Sequence, residues 1–170
     1  ERKRCQCMIV YHGSTEIIKN PDVVHSKKYL DFGRGFYITT FENQAKKWAV
    51  RKGMRQKKTA IVNVYELSEE WSGFRVLSFE KENEKWLDFV CACRKGQSLN
   101  KEYDIIIGNV ADDDVFKTVD MYFRGLWNKE KVLNELRYYK MNNQICIVKQ
   151  EALDCLLTFQ KAYEVNSNGK

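Results

Sequence analysis

The chain has 170 residues, 44% apolar and 31% charged, a size and balance that suit one globular domain and exclude a fibrous or disordered chain. Its net charge is +6, and it holds no run of about 18 uncharged apolar residues, so no segment reads as a membrane-spanning helix and no membrane partner is expected. The charged start, Glu1 to Arg4, with no long apolar stretch before Tyr11, does not read as a signal peptide, and a cytoplasmic location is expected.

Cys7 to Tyr11 reads as a buried strand that ends at His12-Gly13-Ser14. Thr15 to Asn20 forms a turn before Pro21. Asp31 to Gly35 carries a turn signal, and the β-rich segment Phe36 to Thr40 follows it. Phe41 to Gln56 reads as a helix with Ala45, Trp48 and Ala49 on one face and basic residues on the other. Thr59 to Leu67 alternates like a strand, and Phe74 to Phe79 is a weaker candidate.

Glu80 to Arg94 places Trp86, Val90 and Cys93 on one helical stripe, with Leu87 beside it. Tyr103 to Ile107 is a short buried strand stopped by Gly108. Asp112, Asp113 and Asp114 suit a helix start, where carboxylates favour the dipole and cap free amides. Val115, Phe116 and Val119 form that helix's inner face. Asn128 to Lys140 is a further helix with Val132, Leu133 and Leu136 inward. Gln144 to Val148 reads as the last strand, and a short helix from Glu151 to Phe159 follows it. Residues 1–164 form one domain in this reading, and 165–170 a frayed polar tail.

Strands and helices mix without a βαβ rhythm, and neither G-x-G-x-x-G nor a P-loop occurs, which favours an α+β domain with a mainly antiparallel sheet. The six cysteines include two C-x-C pairs, Cys5/Cys7 and Cys91/Cys93, where a zinc site would show wider C-x₂₋₄-C spacing. Reduced thiols, several of them buried, are expected instead, with no metal.

Three strand ends carry the candidate chemistry. At His12-Gly13-Ser14, glycine lets the backbone come close to a ligand, and the imidazole can bond a hydroxyl. At Asp31 to Thr40, two glycines two residues apart precede Tyr37, whose ring is expected to be free to stack on a planar ligand. Arg34, in that turn, can grip a pyrophosphate bidentately or stay solvated. Ser26 lies just ahead of the turn. At Asn142 to Val148, Gln144 starts a buried strand and offers a donor and an acceptor to a ribose hydroxyl. Taken singly, each has an ordinary structural reading: a strand-end histidine, a tight turn with a core tyrosine, an edge-strand glutamine.

Together the three motifs resemble the ADP-ribosyltransferase superfamily on its diphtheria-toxin and poly-ADP-ribose-polymerase side, which is marked by a His–Tyr–Glu triad on separate strands. Tyr11-His12-Gly13-Ser14 resembles its first motif, Gly33-Arg34-Gly35-Phe36-Tyr37 with the Gln44-Ala45 helix its second, and Asn143-Gln144-Ile145-Cys146-Ile147-Val148 its third, with Gln144 where glutamate would stand. More closely, the chain resembles, from about Met8 to Phe159 and including Tyr103 to Asp112, a bacterial family of domains of unknown function placed in that superfamily.

The resemblance implies an ADP-ribosyltransferase-like split antiparallel sheet flanked by helices, with NAD⁺ as substrate. It implies that His12 bonds the adenosine ribose, that the Gly13 backbone holds the nicotinamide amide, with Ser14 beside it, and that Tyr37 stacks on the nicotinamide ring. Ser26, Arg34 and Gly35 would line the rest of the NAD⁺ site, and Gln144 would orient the nicotinamide ribose. The implied activity is mono-ADP-ribosyl transfer to a protein, nucleic acid or small molecule, by an endogenous enzyme or a delivered effector or toxin. Gln144 offers a dipole where glutamate offers a charge, which argues for single transfer over polymer synthesis, and Gln144→Glu is expected to keep or raise activity. Three other readings stand beside it: a catalytically silent module binding NAD⁺ or ADP-ribose, an NAD⁺ glycohydrolase, and a basic nucleic-acid-binding domain without enzymology. The arginine-directed branch lacks its S-T-S and late E-x-E motifs here, and the RNA phosphotransferase branch lacks its second histidine context.

Overall fold

The computed structural model describes residues 5–27, 30–81, 83–111, 113–136 and 142–166, with the backbone alone at 113 and 114. In chain order the elements are β1 (Cys7–Ser14), β2 (Phe36–Ile38), α1 (Glu42–Gln56), β3 (Ala60–Ser68), β4 (Val76–Ser78) and α2 (Glu84–Arg94). A 3₁₀ turn at Leu99–Glu102 precedes β5 (Ile105–Gly108), α3 (Asp113–Phe123), α4 (Lys129–Leu136), β6 (Gln144–Ile147), α5 (Gln150–Leu156) and β7 (Leu157–Val165).

The strands form two sheets. One has the order β1-β3-β7 and is antiparallel throughout. The other has the order β2-β6-β5-β4, antiparallel except for the parallel pair β4–β5. Among the described residues one isolated bridge joins them, with Tyr11 N–H donating to Thr39 O at 2.8 Å and Thr39 N–H to Tyr11 O at 3.0 Å. The fold is therefore α+β and mainly antiparallel, as expected.

Strand alternation sends β5 and β6 side chains to two cores. Ile106 and Cys146 face the helical layer, where Trp86, Leu87 and Val90 of α2, Val115 and Val119 of α3, and Val132 and Leu136 of α4 pack around Phe32. Ile105, Ile145 and Ile147 face the other way, onto Val10, Tyr65 and Leu67 of the three-stranded sheet and Leu153 and Leu156 of α5. Asn83 starts α2, its Oδ1 accepting from Trp86 N at 3.0 Å. Helix α1 lies on β1 and β3 through Ala45, Ala49 and Gly53, whose spacing of four leaves a flat strip that admits close approach.

Three expectations need correction. The chain continues from α5 into β7, so the last helix stops at Leu156 rather than Phe159, and Val165 is paired with Ala60 rather than frayed. Beside the register shift at Val64/Tyr65, Gln160 is skipped, which breaks the period-two pattern that would have revealed the strand. On α3 the buried stripe is Val115, Thr118 and Val119, while Phe116 is 45% exposed beneath the Arg94 guanidinium, 4.4 Å from its ring centroid. The helix expected at Asn128–Lys140 is described only to Leu136. Asp112, the expected cap, lies outside the described residues, as do positions 1–4, 137–141 and 167–170.

Candidate functional site

The sheets place the three motifs on adjoining strands. β1 meets β2 at the Tyr11–Thr39 bridge, and β2 pairs with β6 so that Tyr37 faces Cys146, two residues from Gln144. Asn143 fixes this junction. Its Oδ1 accepts from Thr39 Oγ1 at 2.8 Å and Thr40 N at 3.0 Å, and its main-chain carbonyl accepts from Gln44 Nε2 at 2.7 Å. The second motif's helix is thereby tied to the start of the third motif's strand.

His12 sits partly buried on β1, its Nδ1 donating to the Tyr37 carbonyl at 2.6 Å and its ring stacked on Phe36 at 4.4 Å between centroids. Burial, aided by the nearby Lys52 charge, lowers its pKa to about 4, so the ring is neutral near pH 7. The proton then resides on Nδ1, and Nε2 is a hydrogen-bond acceptor. Phe36 and Tyr37 leave β2 by opposite faces, so the His12 ring lies on Phe36's side and reaches Tyr37 through the main chain. Gly13 has a packing reason of its own: a Cβ there would collide with Ala45 O and lie 2.7 Å from Ala49 N. Ser14 is not brought to the site; it is 1% exposed, beside Lys52 Nζ at 3.5 Å.

Tyr37 is half-buried against the helical core. Its hydroxyl donates to Gly33 O at 2.5 Å and accepts from Phe32 N at 3.0 Å, so it closes the glycine turn rather than facing solvent. Burial holds its pKa well above the usual tyrosine range. Gly33 has φ +75°, in the left-handed region, and a Cβ there would meet the Asn100 side chain at 2.7 Å. Gly35 passes so close to β6 that a Cβ would strike Cys146 Sγ. Ser26 Oγ accepts from Gly35 N at 2.9 Å, and Asn100 Nδ2 donates to Arg34 O at 3.1 Å, holding the turn from two sides.

Gln144 is 3% exposed. Its Nε2 donates to Asp31 Oδ2 at 3.0 Å and to Asn109 O at 3.3 Å. Asp31 also accepts from Arg94 Nε at 3.0 Å, Arg94 Nη2 at 2.5 Å and Ala111 N at 3.0 Å. Sequence reasoning assigned no role to Asp31, Arg94 or Asn109. Asp31 opens the second motif and so carried a signal; Arg94, 63 residues away, carried none.

Beside the turn opens a cleft of about 430 Å³, lined by Gly33, Arg34, Ser98, Asn100, Lys101 and Lys149 among others, none of them acidic. A second cleft, about 320 Å³, lies away from the motifs between α2 and α3 and is lined by Cys91, Lys95 and Tyr122. Cys5, Cys7 and Cys155 are exposed, while Cys91, Cys93 and Cys146 are buried. Among the described residues no group of three or more His, Cys, Asp or Glu could hold a metal ion, and no helix is long and apolar enough to cross a membrane.

The profile of a family described as Protein of unknown function (DUF3990) matches residues 8–159. The chain belongs to this family. No curated protein and no solved structure matches it. In this DUF3990 domain the matched segment runs from β1 into β7 and takes in all three motifs.

Proposed function

We propose that this DUF3990 domain binds NAD⁺ and transfers its ADP-ribose to an acceptor, releasing nicotinamide. The observation that carries the reading is the adjacency of the three strands: β1, β2 and β6, which bear residues 12, 37 and 144, adjoin one another, with the His12 ring on one face of β2, the Tyr37 ring on the other, and His12 Nδ1 bonded to the Tyr37 carbonyl between them. His12 Nε2, an acceptor, takes the adenosine ribose hydroxyl. The Gly13 backbone holds the nicotinamide amide, the Tyr37 ring stacks on nicotinamide, and Gln144 orients its ribose. Arg34, at a cleft rimmed by Lys101 and Lys149, takes the pyrophosphate. Nicotinamide is a cationic leaving group, so cleavage of its glycosidic bond needs a fixed NAD⁺ conformation and a positioned acceptor more than strong acid–base catalysis. The acceptor is a protein, nucleic acid or small molecule met in a cytoplasm, whether the protein's own or one into which it is delivered.

One observation favours the silent NAD⁺-binding module as the second reading: the Tyr37 hydroxyl and the Gln144 amide are both engaged within the protein. Calorimetric titration with NAD⁺ tests the site common to both readings. Tyr37→Phe keeps the ring and should hold affinity within about threefold, while Tyr37→Ala should lose tenfold or more, about 1.4 kcal/mol. A folded Tyr37→Ala protein with unchanged affinity would remove Tyr37 from the site.

A further inference from the structure

Gln144 stands where the superfamily resemblance places glutamate, and the expectation from sequence is that Gln144→Glu keeps or raises activity. The surroundings of its amide oppose that. Asp31 Oδ2, at 3.0 Å, and Asn109 O, at 3.3 Å, are both acceptors; they also accept from Ala111 N at 3.0 Å and Trp86 Nε1 at 3.2 Å, and at position 144 they favour an N–H donor. A carboxylate there supplies none. It would face a main-chain carbonyl and lie against a second carboxylate whose Arg94 partner is already engaged.

We infer that Asp31 is the positioning residue of this site: held by Arg94, it fixes the Gln144 amide with Nε2 inward and Oε1 turned toward the ligand, and it makes glutamine the side chain this site is built for. The role toward a ligand rests on the NAD⁺ reading above; the network itself does not.

The network ties four segments together. Asp31 lies in the glycine turn, Arg94 at the end of α2, Ala111 after β5 and Gln144 at the start of β6. Asp31 is 8% exposed, and its two oxygens accept four N–H contacts, so its charge is compensated where water is scarce. The two acceptors also decide which end of the Gln144 amide is nitrogen. An amide oxygen accepts from a ribose hydroxyl but does not take its proton, so position 144 contributes no titration to the rate.

Beyond Arg94, the titratable groups among the described residues that interact with Asp31 are Cys91 and Cys93 from α2 and Tyr37 from β2, and Cys146 from β6 lies against Tyr37. Burial raises the pKa of each of these four, so they stay neutral through the working range. A carboxyl introduced at 144 would lie against the Asp31 carboxylate, which drives its pKa upward, so it is more fully protonated at pH 5 than at pH 8.

Wild type, Gln144→Glu, Asp31→Asn and the double variant are compared by thermal melting at pH 5 and pH 8, and by NAD⁺-dependent nicotinamide release across that range. Gln144→Glu should lower Tm by about 8 °C at pH 8, and by less at pH 5, where a protonated carboxyl donates to Asp31. In the Asp31→Asn background the same substitution should cost at most half as much. Should Gln144→Glu fail to fold at pH 8, its folding at pH 5 and in the Asp31→Asn background is the same result. Nicotinamide release by wild type should show no step from this position, whereas Gln144→Glu should lose tenfold or more at pH 8 and recover toward pH 5. A Gln144→Glu protein as stable as wild type at pH 8 in both backgrounds, or releasing nicotinamide there as fast as wild type, overturns the inference. If wild type releases no nicotinamide, the proposed transferase fails, and the melting comparison still decides the network.

Discussion

Tyr37→Phe removes one oxygen and leaves the ring. In the structure that oxygen closes the glycine turn by donating to Gly33 O at 2.5 Å and accepting from Phe32 N at 3.0 Å. Phe32 is fully buried, and water is poorly placed to replace the lost partner at its N–H. Two hydrogen bonds at about 1 kcal/mol each, plus part of the cost of an unsatisfied buried donor, give a loss of about 2–3 kcal/mol. For a domain of this size that lowers Tm by roughly 5–10 °C. Differential scanning calorimetry of wild type and Tyr37→Phe at pH 7 reads the difference directly. The phenol's raised pKa keeps it protonated there, so both hydrogen bonds are intact in the reference protein. A Tm within about 1 °C of wild type would mean that the hydroxyl does not hold the turn, and that Tyr37 serves through its ring alone.

Two further outcomes follow from the same geometry. The His12 pKa falls to about 4 in the folded protein from 6.5, so the unfolded chain takes up the proton first. Stability is therefore lost as pH falls from about 6.5 to about 4, by at most about 3 kcal/mol. Urea melts at pH 7, 5.5 and 4 should show this slope in wild type and its absence in His12→Asn; equal slopes would contradict it. Gly35→Ala forces a Cβ against Cys146 Sγ and to 2.8 Å from Ile147 O. It should destabilise by about 1–3 kcal/mol. Adding Cys146→Ala should recover only part of that, since the Ile147 contact remains; a neutral Gly35→Ala would refute the close approach of the turn to β6.

Much of the fold was legible because period and turn chemistry agree along most of the chain. The strand Thr59–Leu67 and the Trp86, Val90 and Cys93 stripe each show one clear repeat, and the structure places them at β3 and in the core face of α2. β7 was not legible: the skip at Gln160 interrupts its alternation, and its exposed edge carries Gln160, Lys161 and Glu164, which look like a tail. Phe116 misled because an apolar side chain on a helix reads as inward, while here Arg94 covers its ring at the surface. The site was half legible. Its three motifs announce themselves by a strand-end histidine followed by glycine, a two-glycine turn before Tyr37, and Gln144 at the start of an aliphatic strand. What fixes them lies at Asp31, Arg94, Asn100 and Asn143, polar residues whose partners are brought close only by the folded chain. The face on which each side chain emerges was also beyond the sequence: His12 rests on Phe36, and the Tyr37 hydroxyl is turned into the glycine turn.

Free nicotinamide is the most direct reporter of the proposed NAD⁺ cleavage at this site. Purified protein incubated with NAD⁺ and followed by chromatography should release nicotinamide, and Tyr37→Ala, provided it stays folded, should not. Release at equal rates from both proteins, or none from wild type at saturating NAD⁺ with a broad set of acceptors supplied, would contradict the account.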